Sequence, residues 1–275
     1  MTNKVNVTLG DVQQTLLLPL WGRAIETQKV DPLLIDNKAV EIIDQLDYDF
    51  SMFSKKINEI SKLGWVIRSL LIDKTVKQFI GRYPQATIVN IGCGFDTTFE
   101  RVDNGSINWY DLDLPAVIDS RKRFIYDNAR RKSIAKSILD YTWLDQIQPH
   151  NNLLIVAAGV LYYFEEKQIA QIFKTIAQKF PGSEMVFDAT SSTGLKMANR
   201  MVIKNSGMKV NSYLKWGLKN VKALSLFDDR INILNETLFF NQFKSQLKVK
   251  TRLIAYISDL LRMQYLVHIK FNNRI

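Results

Sequence analysis

Three groups of residues in this 275-residue chain have the types and spacing to do chemistry. The first is Gly92-Cys93-Gly94-Phe95-Asp96-Thr97, which follows directly on a short β-branched run, ATIVNIG (86–92). Two glycines so spaced let a turn bring its backbone against a ligand. Thr97 stands where a dinucleotide loop has its third glycine, which disfavours NAD and FAD. The second group is Asp111-Leu112-Asp113, about twenty residues further on, the distance at which a carboxylate ending the next strand reaches ribose hydroxyls. A two-glycine loop plus a ribose carboxylate suits a nucleoside without a pyrophosphate, and S-adenosylmethionine is the common one. The third group lies past the later strands. Asp140 is spaced to take an adenine amino group, with Tyr141 and Trp143 offering apolar surface, and equally to cap the turn it begins. Ala158-Gly159-Val160-Leu161-Tyr162-Tyr163 places a glycine where methionine or an acceptor comes close, or where packing simply needs one.

These residues need a scaffold with strand ends on one side. Residues 9–83 show helical spacing (Leu16, Leu20, Ala24; Val40, Ile43; Ile57, Ile60, Leu63, Ile67, Leu71), ended by Gly81 and Pro84. The period then shortens. Strands are predicted over 86–92, 106–114, 135–140, 152–158 and 184–190, with helices over 117–131 and 167–180, the latter stopped by Pro181-Gly182. Alternation of this kind builds an α/β, doubly wound, mostly parallel sheet, in which ligands bind beyond the carboxyl ends of the strands. Residues 191–247 read as a helical insertion, and 248–258 and 264–272 as an antiparallel strand pair at the sheet edge. The organisation is therefore one domain: a helical cover (1–83), a cofactor-binding core (84–190), a basic helical lid (191–247) and terminal strands (248–275).

Composition agrees with a single buried core, at 47% hydrophobic and 23% charged residues. One cysteine, Cys93, excludes a disulfide framework and a cysteine-rich zinc site, and no metal site is expected. No run approaches the roughly 20 apolar residues of a membrane span, and no leader pattern stands at the start, so a cytoplasmic protein without a membrane partner is expected. The formal charge of +10 is uneven: residues 191–275 hold 15 Lys+Arg against Asp228, Asp229, Glu236 and Asp259. A solvated surface accounts for this, or a basic region over an anionic substrate. Nucleic acid is disfavoured because the lysines are dispersed and no recognition signature accompanies them.

Taken together, the residues resemble the leucine carboxyl methyltransferase family of S-adenosylmethionine-dependent enzymes, and within it the bacterial tetracenomycin-type polyketide O-methyltransferases. The likeness covers most of 8–180. It runs through Gln14-Thr15-Leu16-Leu17-Leu18-Pro19-Leu20-Trp21-Gly22-Arg23-Ala24, Asp36 with Lys38-Ala39-Val40, Asp47-Tyr48-Asp49-Phe50, Arg68, Asn90 to Thr97, Asp111-Leu112-Asp113-Leu114-Pro115 and Gly159 to Tyr163. The resemblance implies a class I methyltransferase sheet of seven strands with an antiparallel last strand. It implies that Arg68 pairs with the cofactor's carboxylate, a geometry guanidinium suits. Gly92, Gly94 and Asp96 would form the cofactor loop, Asp113 or Asp111 would hold the ribose, and Asp140 with Tyr141 the adenine. Arg23, Tyr162 and Tyr163 are candidate acceptor contacts. One position departs from the family: a glutamate ordinarily precedes the Gly-Val-Leu segment and helps hold the methionine end, and here it is Ala158.

Methyl transfer from a sulfonium is an in-line displacement that leaves S-adenosylhomocysteine, and the protein's main work is to position the acceptor oxygen. The two histidines, His150 before the fourth strand and His268 within the last, are poorly placed as bases, and no catalytic residue is assigned. A carboxylate is ionised near neutral pH, with an ordinary pKa of roughly 4, whereas a phenol near ~10 wants a base. A small anionic acceptor is the resulting expectation. The alternatives are a weak or silent relative that binds the nucleoside without turnover, motivated by Ala158, and, behind it, a nucleic-acid methyltransferase.

Overall fold

The computed structural model describes residues 4–5, 13–149, 152–200 and 214–273. His150, residues 9–12 and the 201–213 part of the expected lid lie outside the described residues. The cover begins with α1 (Leu17–Thr27), α2 (Asn37–Gln45), α3 (Ser51–Lys56) and the long α4 (Glu59–Arg82). Helix α1 is followed by a loop whose Asp36 caps α2, its carboxylate accepting from Ala39 N at 3.0 Å. Helix α4 starts at Asn58, which accepts from Ser61 N. It is apolar around most of its circumference because it is clasped on both sides. Ile67, Leu71, Ile72, Val76 and Phe79 pack on the sheet, while Trp65 packs with Leu17, Trp21 and Phe53 of the cover.

The sheet contains β1 (Thr87–Ile91), β2 (Asn108–Asp113), β3 (Arg131–Ala135), β4 (Leu153–Ala157), β5 (Glu184–Ala189), β6 (Ile231–Leu238) and β7 (Tyr265–Phe271), in the order β3-β2-β1-β4-β5-β7-β6. Strands β1 to β5 pair in parallel, and β7 runs antiparallel to both β5 and β6. This is the seven-stranded, mostly parallel sheet that the sequence and its resemblance predict. Strands β1, β4 and β5 are buried along their whole length because helices cover both faces. Between strands stand α5 (Thr98–Val102), α6 (Pro115–Arg121), α7 (Glu166–Lys179) and α8 (Ser192–Ala198), and α9 (Val249–Leu260) precedes β7. Helix α7 presents Ile169, Ile172, Phe173 and Ile176 to the face opposite α4. No described helix is long and apolar enough to cross a membrane.

Four elements differ from the sequence reading. Strand β3 ends at residue 135 instead of beginning there, and α6 stops at Arg121. The Asn128 side chain accepts from Arg130 N and Arg131 N in a turn that launches the strand early, while Phe124 and Ile125 pack against the cover's apolar cluster. Residues 231–238, read as helical, form β6. A register shift between Ile233 and Asn235 breaks the two-residue alternation that would have marked the strand. Residues 248–258, read as a strand from their β-branched content, lie in α9. Ala255 turns inward there, while Val249, Leu253, Tyr256 and Leu260 recur at helical spacing on the exposed side. The antiparallel edge pair is therefore β6 with β7, and the basic segment is not wholly helical.

Candidate functional site

A cavity of about 720 Å³ lies across the carboxyl ends of β1, β2, β4 and β5. Most of the predicted residues meet in its lining: Arg23, Arg68, Gly92, Gly94, Asp96, Asp113, Ala158, Gly159, Tyr162 and Tyr163. Asp111, Asp140 and Tyr141 do not line it. The glycine loop is shaped by backbone that side chains resist. Gly94 has φ of +44°, and a Cβ there would come within 2.9 Å of Leu16, the cover residue that closes over the loop.

The two carboxylates of β2 stand two residues apart, so they share one face of the strand and differ in depth: Asp111 lies inside the strand and Asp113 at its carboxyl end. Asp111 is fully buried. Its oxygens accept from Trp109 Nε1 (2.9 Å), Asn90 Nδ2 (3.3 Å), Arg121 Nη2 (3.0 Å) and Arg131 Nε (2.7 Å). Arg121 in turn donates to the Gly94 carbonyl at 2.8 Å, so Asp111 braces the loop from behind. Asp113 faces the cavity and accepts from Gly94 N (2.8 Å) and Leu114 N (2.7 Å). Burial pushes its carboxyl above the usual range despite those two donors. Asp96 holds the loop from inside, accepting from Asn90 Nδ2 and from the Thr98 amide and hydroxyl. Burial opposes its ionisation, but the guanidiniums of Arg101, Arg23 and Arg121 win and hold it below the ordinary value.

Asp140 is exposed and caps the turn that follows β3. It accepts from Thr142 N (3.2 Å) and Oγ1 (2.6 Å) and pairs with Lys136 (3.2 Å). Tyr141 is half-buried against the apolar cluster beneath α7. Because β3 ends earlier than the sequence suggests, Lys136, Ser137 and Ile138 occupy the cavity edge instead. Arg23 is buried. It bonds Asp36 (2.8 Å) and the Phe95 carbonyl (2.9 Å), so it ties cover to loop. Asp36 also accepts from Thr97 Oγ1 and from Arg101 Nη1, and Arg101 grips Asp73 of α4 with two bonds of 2.7 and 2.9 Å.

Arg68, from the middle of α4, enters over the ends of β4 and β5. Its Nη1 donates to Asp188 Oδ2 (3.0 Å) and the Tyr162 hydroxyl (3.3 Å). Burial raises the Tyr162 and Tyr163 phenols, so neither is poised as a base near neutral pH. Asp188 was absent from the sequence-based candidates, although it is the penultimate residue of the fifth strand and the rule of inspecting strand ends applies to it equally. The outer half of the cavity, lined from residues 194–264, is mostly apolar, with Met197, Ala198, Leu214, Phe240, Ile254 and Ile257 beside the polar Ser258 and Gln264. None of the described Lys or Arg residues in 191–275 lines it, so the described part of the basic excess stands elsewhere. His268 lies in β7, 2.8 Å from Glu184 and outside the cavity.

Comparison with known proteins places these features. The model of the leucine carboxyl methyltransferase family matches residues 17–177. The tetracenomycin polyketide synthesis O-methyltransferase TcmP of Streptomyces glaucescens is 27% identical over 220 residues, covering 79% of each chain. The S-adenosyl-L-methionine-dependent methyltransferase dpfgK of Gibberella zeae is 25% identical over 216 residues, covering 72% of each. Among solved structures, a DUF574 family protein from Streptomyces avermitilis shares the fold, with a TM-score of 0.60 at 11% identity over 93% of this chain and 96% of that one.

Proposed function

The chain belongs to the leucine carboxyl methyltransferase family, and on that premise we propose that it is an S-adenosylmethionine-dependent O-methyltransferase that esterifies the carboxylate of a small, largely apolar metabolite. When bound, the cofactor supplies an electrophilic methyl group on a positively charged sulfur. The chain's residues fit it. Arg68 offers a guanidinium to the methionine carboxylate, and Gly92 and Gly94 let the loop backbone pass close. The cavity-facing Asp113 offers a carboxylate to the ribose, in preference to the saturated Asp111. The adenine end is assigned to the cavity edge at Lys136, Ser137 and Ile138, not to Asp140 and Tyr141.

The observation that carries the acceptor class is the chemistry of the cavity's outer half. Its described lining is mostly apolar, with Ser258 and Gln264 as polar side chains and no imidazole and no carboxylate to serve as a base. An acceptor that arrives ionised needs none, and a carboxylate does so near pH 7 given its ordinary pKa of roughly 4. The apolar walls bury the acceptor's body and exclude water, which strengthens the attraction between an anionic oxygen and a sulfonium. Neutralising charge in this reading comes from the cofactor and not from the basic segment.

The test is a screen of matched acceptors with radiolabelled methyl donor, in which each apolar carboxylic acid is paired with the alcohol and phenol of the same skeleton. Base-labile methyl ester from acids alone is the expected result. Transfer to the neutral alcohols but not the acids would overturn the assignment.

A further inference from the structure

Ala158 leaves the methionine end of the cofactor site without the carboxylate that the family pattern supplies, and the sheet register shows where another stands. Strands β4 and β5 pair in parallel with Ala157 beside Phe187, so the next position sets Ala158 beside Asp188. Directly opposed residues project from the same face, so the two side chains share one side of the sheet. It is the side on which α4 lies and from which Arg68 enters. Asp188 is 1% exposed, lines the cavity and points at Gly159, whose amide it binds at 2.6 Å. Gly159 has φ of +80°, and a Cβ there would lie 2.7 Å from Arg68 Nη1, so the glycine makes room for the guanidinium beside Asp188.

We propose that Asp188, paired with Arg68, forms the subsite for the α-amino acid end of the methyl donor, accepting its ammonium in place of the missing side chain at position 158. The two charges, 3.0 Å apart, are complementary to a zwitterion: guanidinium to carboxylate, carboxylate to ammonium. An ionised aspartate offers about four acceptor positions. Two are taken by the Gly159 amide and Arg68, which leaves capacity toward the cavity. The proposal rests on the cofactor reading above and deepens it. It also removes the reason for treating Ala158 as the mark of a silent relative.

The experiment compares three ligands on the wild type and on Asp188→Asn: S-adenosylhomocysteine, its des-amino analogue, and 5′-methylthioadenosine, which lacks the amino acid altogether. The wild type should prefer S-adenosylhomocysteine over the des-amino analogue by roughly 10- to 100-fold, the size of a hydrogen bond to a charged group. In the variant that preference should collapse to within about twofold, with 5′-methylthioadenosine affinity unchanged. Ala158→Glu introduced into the variant should restore the preference. Equal weakening of all three ligands, or of the two homocysteine-like ligands in the same proportion, would assign Asp188 a purely structural role and overturn the subsite. A wild-type preference below about twofold overturns it too, whether or not the variant folds. Failure of the wild type to bind any of the three overturns the cofactor reading and the subsite with it, an outcome distinct from tight binding without discrimination.

Discussion

The two halves of the cavity are built by opposite physics. The inner half is polar and cross-braced: Asp96 and Asp188, which line it, and Asp111 and Asp36, which stand behind it, each take two or more hydrogen bonds, most of them from buried arginines or backbone amides. The outer half is mostly apolar side chain from α8, α9 and the segments between, with Ile254, Ile257 and Leu261 about half exposed. Directional bonds among buried groups hold a loop in one place, because any displacement leaves charges unpaired in a low dielectric. Apolar contact tolerates change of shape and size. The difference teaches that the site can hold one cofactor in a fixed pose while its acceptor side is free to suit a particular metabolite.

The largest effect should come from breaking the inner brace. Arg101, with 7% of its side chain exposed, joins Asp36 of the cover to Asp73 of α4, and Arg101→Met strands Asp73 and leaves Asp36 with Arg23 as its paired cation. Removing one partner of a buried ion network costs about 3–5 kcal/mol. A loss of that size in urea unfolding, with the ratio of rates on different acceptors unchanged, is the expected outcome. A loss below about 1 kcal/mol would mean that the cover is held to the loop by apolar packing, like the outer half.

A smaller effect belongs to the outer half. Ile257→Ala removes apolar surface from a wall that is already 44% exposed, so the contact at stake is of the order of 1 kcal/mol, about fivefold in acceptor KM. The dissociation constant for S-adenosylhomocysteine should not move. Steady-state kinetics over several acids beside a cofactor titration checks both halves at once, and a shift in cofactor affinity larger than the shift in KM would erase the distinction between them.

The same contrast explains what the sequence made legible. The inner half stands on short motifs at strand ends: the loop 92–97 and the pair Asp111 and Asp113 were visible because spacing along a βα unit is nearly constant. What the sequence left open was which aspartate faces the ligand, since a depth difference between residues two apart depends on Trp109, Arg121 and Arg131 arriving from three elements. Asp140 was misplaced because β3 starts at a turn made by the Asn128 side chain, which leaves no hydrophobic signature. The outer half was the least legible. Strand β6 is a bulged edge strand and α9 carries β-branched residues with its apolar side outward, so in both segments the periodic signal points to the wrong element. Asp188 was missed for a different reason: its partner Arg68 lies 120 residues away, and only the fold sets them together.

The smallest effect, and the sharpest separation of the halves, is in acid. The folded pKa of Asp96 is below its ordinary 3.8 because arginines surround it. A depressed carboxyl contributes stability that is fully present above the unfolded value and is lost as pH falls through the folded one. The stability of the wild type should therefore decline more steeply below about pH 4 than that of Asp96→Asn, which has no proton to take up there. The variant should start lower at pH 7 and its acid limb should be flatter, so that the two curves converge. Urea midpoints taken from pH 7 down to pH 3 measure this. The Ile257→Ala protein should run parallel to the wild type throughout, because the substitution removes no titrating group and leaves Asp259, the buried carboxyl of α9, bonded to the Phe240 amide. Parallel curves for Asp96→Asn would mean that the arginine cluster does not favour the ionised loop, and that the inner half owes its order to backbone geometry alone.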